Sequence, residues 1–417
     1  MKARRRIVPS GAGLVLTCVV ALALSPAGPG HTASDPYVVG ISGTVTGGAA
    51  GTYSPLSDGF RLYVETLNAK GGIGGRKIKL VFEDNAAQGV KAGANIKRFA
   101  GEKANLIVLS SPSGVYAPAF EETRRAKIPL LCMAIGPEQT IPPNKEPLIY
   151  GQVWGNAMSC TKVIVQIVKE QFASKVAQPV WGIGGVDIPV SRKGAEVQGM
   201  IGEKMGMKTV VKIAPLGMMD YTPIATAMME SGCNIVSTWG PAGLTLGLFR
   251  ALAKLGYKGI LYINTPDPPE HFLELMKEQP SIIYSTGQLI PITVDMPAHR
   301  TITETAGKHK VQVNSGLKWG WWYGMLVEHV FKKAGWPADT GKLTGILDHV
   351  DVQPDPAFAP VKFTPEDHQG PLFESGWSWS SEKNNFVPVL PWYVSNAAGT
   401  KIKALPKQIG FPKADLD

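Results

Sequence analysis

Residues 68–80 read NAKGGIGGRKIKL, and four glycines crowded around Ile73 have the density of a loop that cradles phosphate. Such a loop works when it follows a strand and opens a helix, so that unpaired backbone N–H groups and the positive helix end face the phosphate. Here a segment of helical period comes first, the glycines second and the β-rich run KIKLVFED third. With the order reversed, Gly71 and Gly72 are expected to cap the helix in left-handed conformations, and Gly74 and Gly75 to turn the chain back. GIGGV (182–186) does follow a strand, but it lacks the Lys-Ser/Thr of a P-loop and the full dinucleotide spacing. His31, His271, His299, His309, His329, His349 and His368 form no HxxxH or HxH pair, and no GxSxG elbow holds a nucleophile. Asp367-His368 reads as a surface or capping pair rather than a catalytic base. No enzyme, cofactor or metal site is expected.

The bulk composition fits that reading. Of 417 residues, 44% are hydrophobic and 18% charged, enough apolar material for two domain-sized cores. The net charge of +9 owes much to Lys2, Arg4, Arg5 and Arg6; without them 38 of the 42 basic residues face 33 acidic ones. No long basic run remains, which argues against a nucleic-acid partner. MKARRR, the apolar stretch Gly11–Leu24 and the small residues and prolines of SPAGPGHTAS have the pattern of a secretory signal peptide over 1–33, cleaved between Ala27 and Ser34. Cys18 lies in the apolar stretch without the small preceding residue that lipid attachment favours, so a soluble exported protein is expected. No later segment reaches the ~20 apolar residues of a transmembrane helix. Cys132, Cys160 and Cys233 then remain, an odd number of scattered thiols that reads as small buried hydrophobes rather than a disulfide framework or metal site.

These features must be positioned by alternating elements. YVVGIS (37–42), KIKLVFED (77–84), NLIVLSS (105–111) and IPLLCMA (128–134) are strand-like, with helical segments at 88–102 and 115–126. Phe60, Tyr63, Val64 and Leu67 form one apolar helical stripe in the segment before the glycines. The rhythm restarts with VWGIGGV (180–186), TVVKIAPL (209–216), NIVSTWG (234–240) and GILYINT (259–265); the helix before the last strand carries Leu244, Leu248, Ala251, Leu252 and Leu255. Two consecutive βα sets predict an α/β fold of two Rossmann-like lobes with mostly parallel sheets. A long helix (315–334) carries the aromatic stripe GLKWGWWYG, whose bland reading is core. The Pro- and Trp-rich remainder reads as loops and antiparallel strands, not a third domain.

The helix ending in N-A-x-G-G-I-x-G-R, followed by a strand ending in E-D-N, resembles the periplasmic solute-binding proteins of the branched-chain amino-acid type. GISGTVTGGAA, LSSPSGV (109–115), IPLLCMAIGPEQT, LGYKGILYINT and FTPEDHQG extend the resemblance over almost the whole mature chain. The resemblance implies a type I periplasmic-binding-protein clamshell whose lobes are joined by three crossovers, near 152–156, 284–290 and 358–364. Lobe 1 would comprise 34–153 plus 287–358, and lobe 2 154–286 plus 359–417. It also implies a periplasmic monomer that delivers a small molecule to the permease and ATPase complex of an ABC importer in the inner membrane.

Ligands of this family lie between the lobes, where strand-end loops of open α/β sheets bind on general grounds too. By the resemblance, Ser113 supplies a hydroxyl to a ligand carboxylate, with Ser111 close by. The family's Thr two residues before Pro-Glu is Ile135 here, although Ala134 keeps a backbone N–H for an anion. The Asp-x-x-Tyr-Gly-x-Gly loop appears as VDIPVSRKG, with Asp187 retained and Ser191 in place of the tyrosine. Trp239 matches the aromatic after the next cleft strand. Thr265 closes the strand after that, and Asp267 in NTPD is the available acid for a ligand ammonium. Two ligand readings follow. Ser113 with Asp267 or Asp187 would hold an aliphatic amino acid, because a buried ammonium needs a paired carboxylate. Trp154, Trp239, Tyr116 and Ile135 would instead make a flat apolar pocket for an aromatic or other organic acid or amide, the favoured reading because a polar donor is lost and indole gained. A free-standing sensor or chemoreceptor adaptor is the alternative outside transport.

Overall fold

A computed structural model describes residues 35–133, 137–151, 157–264, 267–285 and 290–413. The expected signal peptide, Ala134, Ile135, Trp154, Thr265, the 152–156 crossover and most of the 284–290 crossover lie outside the described residues. From Asp35 onward the chain is a single compact unit built on two large sheets.

The first sheet is parallel: β1 (Tyr37–Gly43), β2 (Ile78–Asp84), β3 (Leu106–Ser110), β4 (Leu130–Cys132) and β5 (Ile149–Tyr150), in the order β2-β1-β3-β4-β5. Helices α1 (Ala50–Ala69), α2 (Gly89–Gly101) and α3 (Tyr116–Ala126) connect them. Every residue of β3 is buried, which is why LIVLS is a continuous apolar run: both faces of a central parallel strand are covered. The glycine cluster behaves as its residue types require. Gly71 (φ 102°) and Gly72 (φ 76°) end α1, and the Gly72 N–H donates to Leu67 O at 3.0 Å. Ile73 and Arg76 then exchange two backbone hydrogen bonds across Gly74 and Gly75, both at positive φ, and the chain turns into β2.

The second sheet contains β6 (Val180–Val186), β7 (Lys208–Ala214), β8 (Ile235–Trp239), β9 (Ile260–Asn264) and β10 (Ile283–Ser285), mutually parallel in the order β10-β9-β8-β6-β7. It is wrapped by α4 (Ala157–Ile167), α5 (Pro189–Lys204), α6 (Thr222–Glu230), α7 (Ala242–Lys254) and α8 (Leu273–Glu278). Four of the five residues expected on the α7 stripe are buried. Leu255 is exposed because it caps the helix, where the period no longer aims the side chain at the sheet.

The chain then returns to the first lobe with α9 (Pro297–Lys308), α10 (Ser315–Ala334) and α11 (Thr340–Leu347). Gly316, Gly320 and Gly324 recur every four residues on α10, facing α1. A Cβ on Gly320 would sit 1.9 Å from Leu56 O, and one on Gly59 1.9 Å from Leu317 O, so only glycine lets these backbones meet. The intervening Trp319, Trp321, Trp322 and Tyr323 are all buried. A short pair, β11 (Asp351–Val352) and β12 (Val361–Lys362), precedes β13 (Leu372–Glu374), β14 (Gly376–Ser380), β15 (Asn385–Pro388), β16 (Trp392–Ser395) and β17 (Ile402–Leu405). β14 extends the second sheet antiparallel to β10, β15 pairs antiparallel with β14, and β13-β16-β17 forms a separate antiparallel sheet. Among the described residues no helix is long and apolar enough to cross a membrane.

His368 is a correction. Asp367 does cap a turn, accepting from the Gln369 and Gly370 N–H groups, but His368 is fully buried. Its ring stacks on Tyr150 with centroids 4.0 Å apart, and its carbonyl accepts from Gly151 N–H at the start of the first crossover. Its ring nitrogens lie 2.9 Å from Ile149 O and 3.0 Å from the Asp348 carboxylate, so stacking and polar contacts together bury it.

Candidate functional site

The C-terminal ends of the first-lobe strands carry a closed polar network. The Thr44 hydroxyl donates to Asn85 Oδ1 (2.7 Å) and meets Ser111 Oγ (3.0 Å), while the Asn85 amide donates to Ser111 Oγ (2.6 Å) and Ser42 Oγ (2.9 Å). Asn95 adds a second donor to Ser42. All five side chains are buried, and their hydrogen bonds fix the loops after β1, β2 and β3 relative to one another. Ser111, expected beside a ligand, is fully buried in this network, held by Thr44 and Asn85.

Ser113 is the one that reaches the surface. It opens a single 3-10 turn leading into α3, is partly exposed, and lines a groove of about 630 Å³ together with Tyr116 and Phe120. Tyr116 is buried with Tyr53, Tyr323 and Cys132 nearby. Burial first, and then these neighbours, hold its phenol well above the usual tyrosine range, so it stays neutral. Tyr323 donates to Cys132 O at 2.8 Å. The first-lobe wall therefore presents the neutral aromatic rings of Tyr116 and Phe120 and the Ser113 hydroxyl, with the exposed carboxylate of Glu138 and the amide of Gln139 on the same lining.

The second lobe places the expected residues differently. Ser191 accepts from Val186 N–H and donates to Trp239 O, so its hydroxyl ties α5 to the ends of β6 and β8 instead of facing a cleft. Counting three residues from Asp187, as the motif is written, lands on Val190, which lines the groove and is 46% exposed. The Asp-x-x-Tyr spacing alone therefore points to Val190 rather than Ser191. Asp187 is exposed and ion-paired with Arg192 at 2.9 Å. The Trp239 indole is partly buried against Gly194, where any Cβ would lie 1.8 Å from the indole nitrogen. It supports the groove wall from behind, since Gly194 is on the lining and Trp239 is not.

Asp267 lies where the two lobes meet. Its carboxylate accepts from Thr52 of α1 at 2.8 Å, His271 Nδ1 is 3.7 Å away, and its carbonyl accepts from Tyr284. The hydrogen bond to Asp267 raises the pKa of His271 against the opposing cost of burial. A second bridge joins Glu270 to the Ser315 hydroxyl (2.8 Å) and N–H (3.2 Å) at the start of α10. Asn264, at the cleft end of β9 beside Ser285, is buried, yet neither its amide nitrogen nor its oxygen has a hydrogen-bond partner. Sequence reasoning missed Asn264, Thr52 and Asn85 because each is an ordinary polar residue whose importance comes from long-range neighbours. Among the described residues no group of three His, Cys, Asp or Glu could hold a metal ion.

The family model for periplasmic binding proteins matches residues 36–372. Among curated proteins, the chain is 25% identical over 258 residues to Leu/Ile/Val-binding protein homolog 2 of Brucella abortus, covering 59% of this chain and 63% of that relative's length. Among solved structures, the fold resembles a fatty acid ABC transporter substrate-binding protein from Thermomonospora curvata, with a TM-score of 0.70 at 16% identity over 88% of this chain and 94% of that one. It also resembles an ABC-transporter solute-binding protein from R. palustris in complex with 4-hydroxybenzoate, with a TM-score of 0.69 at 17% identity over 91% and 98%.

Proposed function

The chain belongs to the periplasmic binding protein family, with the α/β clamshell of its type I members, and on that premise we propose that it is the exported solute-binding component of an ABC importer. It takes a small organic acid, aromatic compound or amide between lobes 34–153/287–358 and 154–286/359–417 and passes it to the permease and ATPase, acting as a binder rather than an enzyme. The observation that carries the ligand class is the chemistry of the groove. Ser113 offers a hydroxyl, Tyr116 a neutral aromatic wall, and the position of the family's second-lobe tyrosine is the aliphatic Val190. Asp267, the acid for an ammonium, is already engaged by Thr52. Relatives of the same fold are named for fatty acid and 4-hydroxybenzoate, which supports organic acids.

One observation favours the amino-acid reading: Asp267 is buried close to the cleft, as a partner for an α-ammonium would be. A thermal-shift screen separates the two, because a ligand that binds only the folded state raises the melting temperature. Benzoate, phenylacetate, octanoate and their amides are expected to give the shifts. Stabilisation by leucine, isoleucine and valine alone would sink the organic-acid reading.

A further inference from the structure

The groove at Ser113 does not stop at the strand ends. It runs sideways between α3 of the first lobe and α4 and α5 of the second, with Phe120, Met158, Val190 and Val197 along its walls. Its apolar lining and its volume, about 630 Å³, place it in the range of pockets that take drug-sized ligands, well beyond what one amino-acid side chain fills. Met158 of α4 and Val190 of α5, both on its lining, are 40% and 46% exposed, large apolar groups left facing water.

Within this apolar channel stands one polar group that the fold does not use. Thr161 lines the groove from α4, is fully buried, and its hydroxyl has no hydrogen-bond partner. A hydroxyl on a helix ordinarily donates back to the carbonyl four residues earlier, as Thr123 does to Ala119 at 2.9 Å on α3. Thr161 does not. A buried polar group left unmade costs free energy, and such groups are rare in native structures. Two exposed groups of opposite charge, Lys193 and Glu138, also lie on the lining, so a ligand's acid group is placed on the Lys193 side.

We propose that this channel is a second subsite of the cleft, and that the ligand is an elongated organic acid. Its acid group lies at Ser113, its aryl or alkyl body lies along Phe120 and Val197, and a hydroxyl or carbonyl on its far part meets Thr161. The inference rests on the organic-acid reading above and goes further by specifying length and the position of a second polar group.

Calorimetric titration of the purified protein with benzoate, 4-phenylbutanoate and 4-(4-hydroxyphenyl)butanoate tests it. The long acids are expected to bind at least ten-fold tighter than benzoate, and the hydroxylated one tightest. Val190→Trp, on an exposed rim where the fold tolerates bulk, should collapse the preference for the long acids over benzoate by ten-fold or more. Thr161→Val should abolish the preference for the hydroxylated over the unhydroxylated long acid. Benzoate binding with no preference for length, or an unchanged preference in Val190→Trp, overturns the subsite and leaves the organic-acid reading standing. Binding of none of the three acids, with a thermal shift from aliphatic amino acids, overturns both.

Discussion

The two lobes share an architecture and differ in how their strand ends treat polar groups. In the first, Ser42, Thr44, Asn85, Asn95 and Ser111 are buried and mutually hydrogen-bonded. In the second, Thr238 and Ser285 are paired with Thr245 and Glu374, but Asn264 at the end of β9 is buried and neither polar atom of its amide has a partner. A satisfied network is rigid, because moving any member orphans another. An unsatisfied group is a standing cost that a partner can remove. The first-lobe network is thus preformed, whereas Asn264 keeps polar capacity that a partner can fill.

The comparison breaks most severely at Asn85. Its amide supplies two donors and an acceptor to three hydroxyl side chains, and leucine of similar bulk would remove all three bonds, leaving Thr44 and Ser111 only each other and Ser42 only Asn95. Asn85→Leu is expected to cost about 3 kcal/mol, since each stranded buried group costs roughly 1–3 kcal/mol and the hydroxyls can partly rearrange. Urea unfolding measures this directly. A loss below 1 kcal/mol would mean that the network is not what holds the loops.

The packing around the start of α10 is expected to respond to pH. Lys318, in the first turn of α10, is buried, with its ammonium close to Ile290 O, Ala357 O (3.4 Å) and His299 Nε2 (3.3 Å). Burial pushes its pKa down to about 7 from 10.5, with Glu270 and Asp355 opposing the shift. Burial and the Lys318 charge likewise push His299 down to about 3 from 6.5. For Lys318 the unfolded chain binds the extra proton between about 7 and 10.5, so stability rises with pH across that window and the penalty is full below 7. His299 gives the same sign between about 3 and 6.5. Lys318→Met should flatten the rise of melting temperature from pH 7 to 10 and, by removing the charge that adds to burial at His299, shorten the acid limb without abolishing it. A wild-type curve that falls over that window contradicts the assignment.

Much of this frame was legible in the sequence because it follows from period and punctuation. The bounds of α10 and the helix-turn-strand order around Ile73 come from local rules, and Gly71 to Gly75 could adopt their positive φ values because they are glycines. The site was less legible. Asp187, Ser191 and Trp239 are close along the chain to where a ligand residue should be, but Ser191 and Trp239 pack on one another's helix and strand and Asp187 pairs with Arg192. His368 looked like a surface residue from its acidic, turn-forming neighbours; Ile149 and Tyr150, more than two hundred residues away, and Asp348 decide its burial. A pattern of local periodicity carries no information about such partners.

The smallest expected effect is the most diagnostic of the difference between the lobes. Asn264 sits at the cleft end of β9, where its register partner on β10 is Ser285, whose hydroxyl is committed to Glu374. If Asn264 is retained for a ligand and not for the fold, replacing it with leucine removes an unpaired donor and an unpaired acceptor at nearly constant volume. Asn264→Leu should then stabilise the unliganded protein by about 1 kcal/mol, the size of a modest relief of buried polar groups, and weaken whichever ligand the screen identifies. The opposite sign from Asn85→Leu is the test, because the two substitutions are chemically identical and differ only in whether the native fold satisfies the amide. Denaturation of both variants with and without ligand measures it; a loss of stability at Asn264 comparable to that at Asn85 would show that the second lobe, too, uses its polar residues to hold itself together.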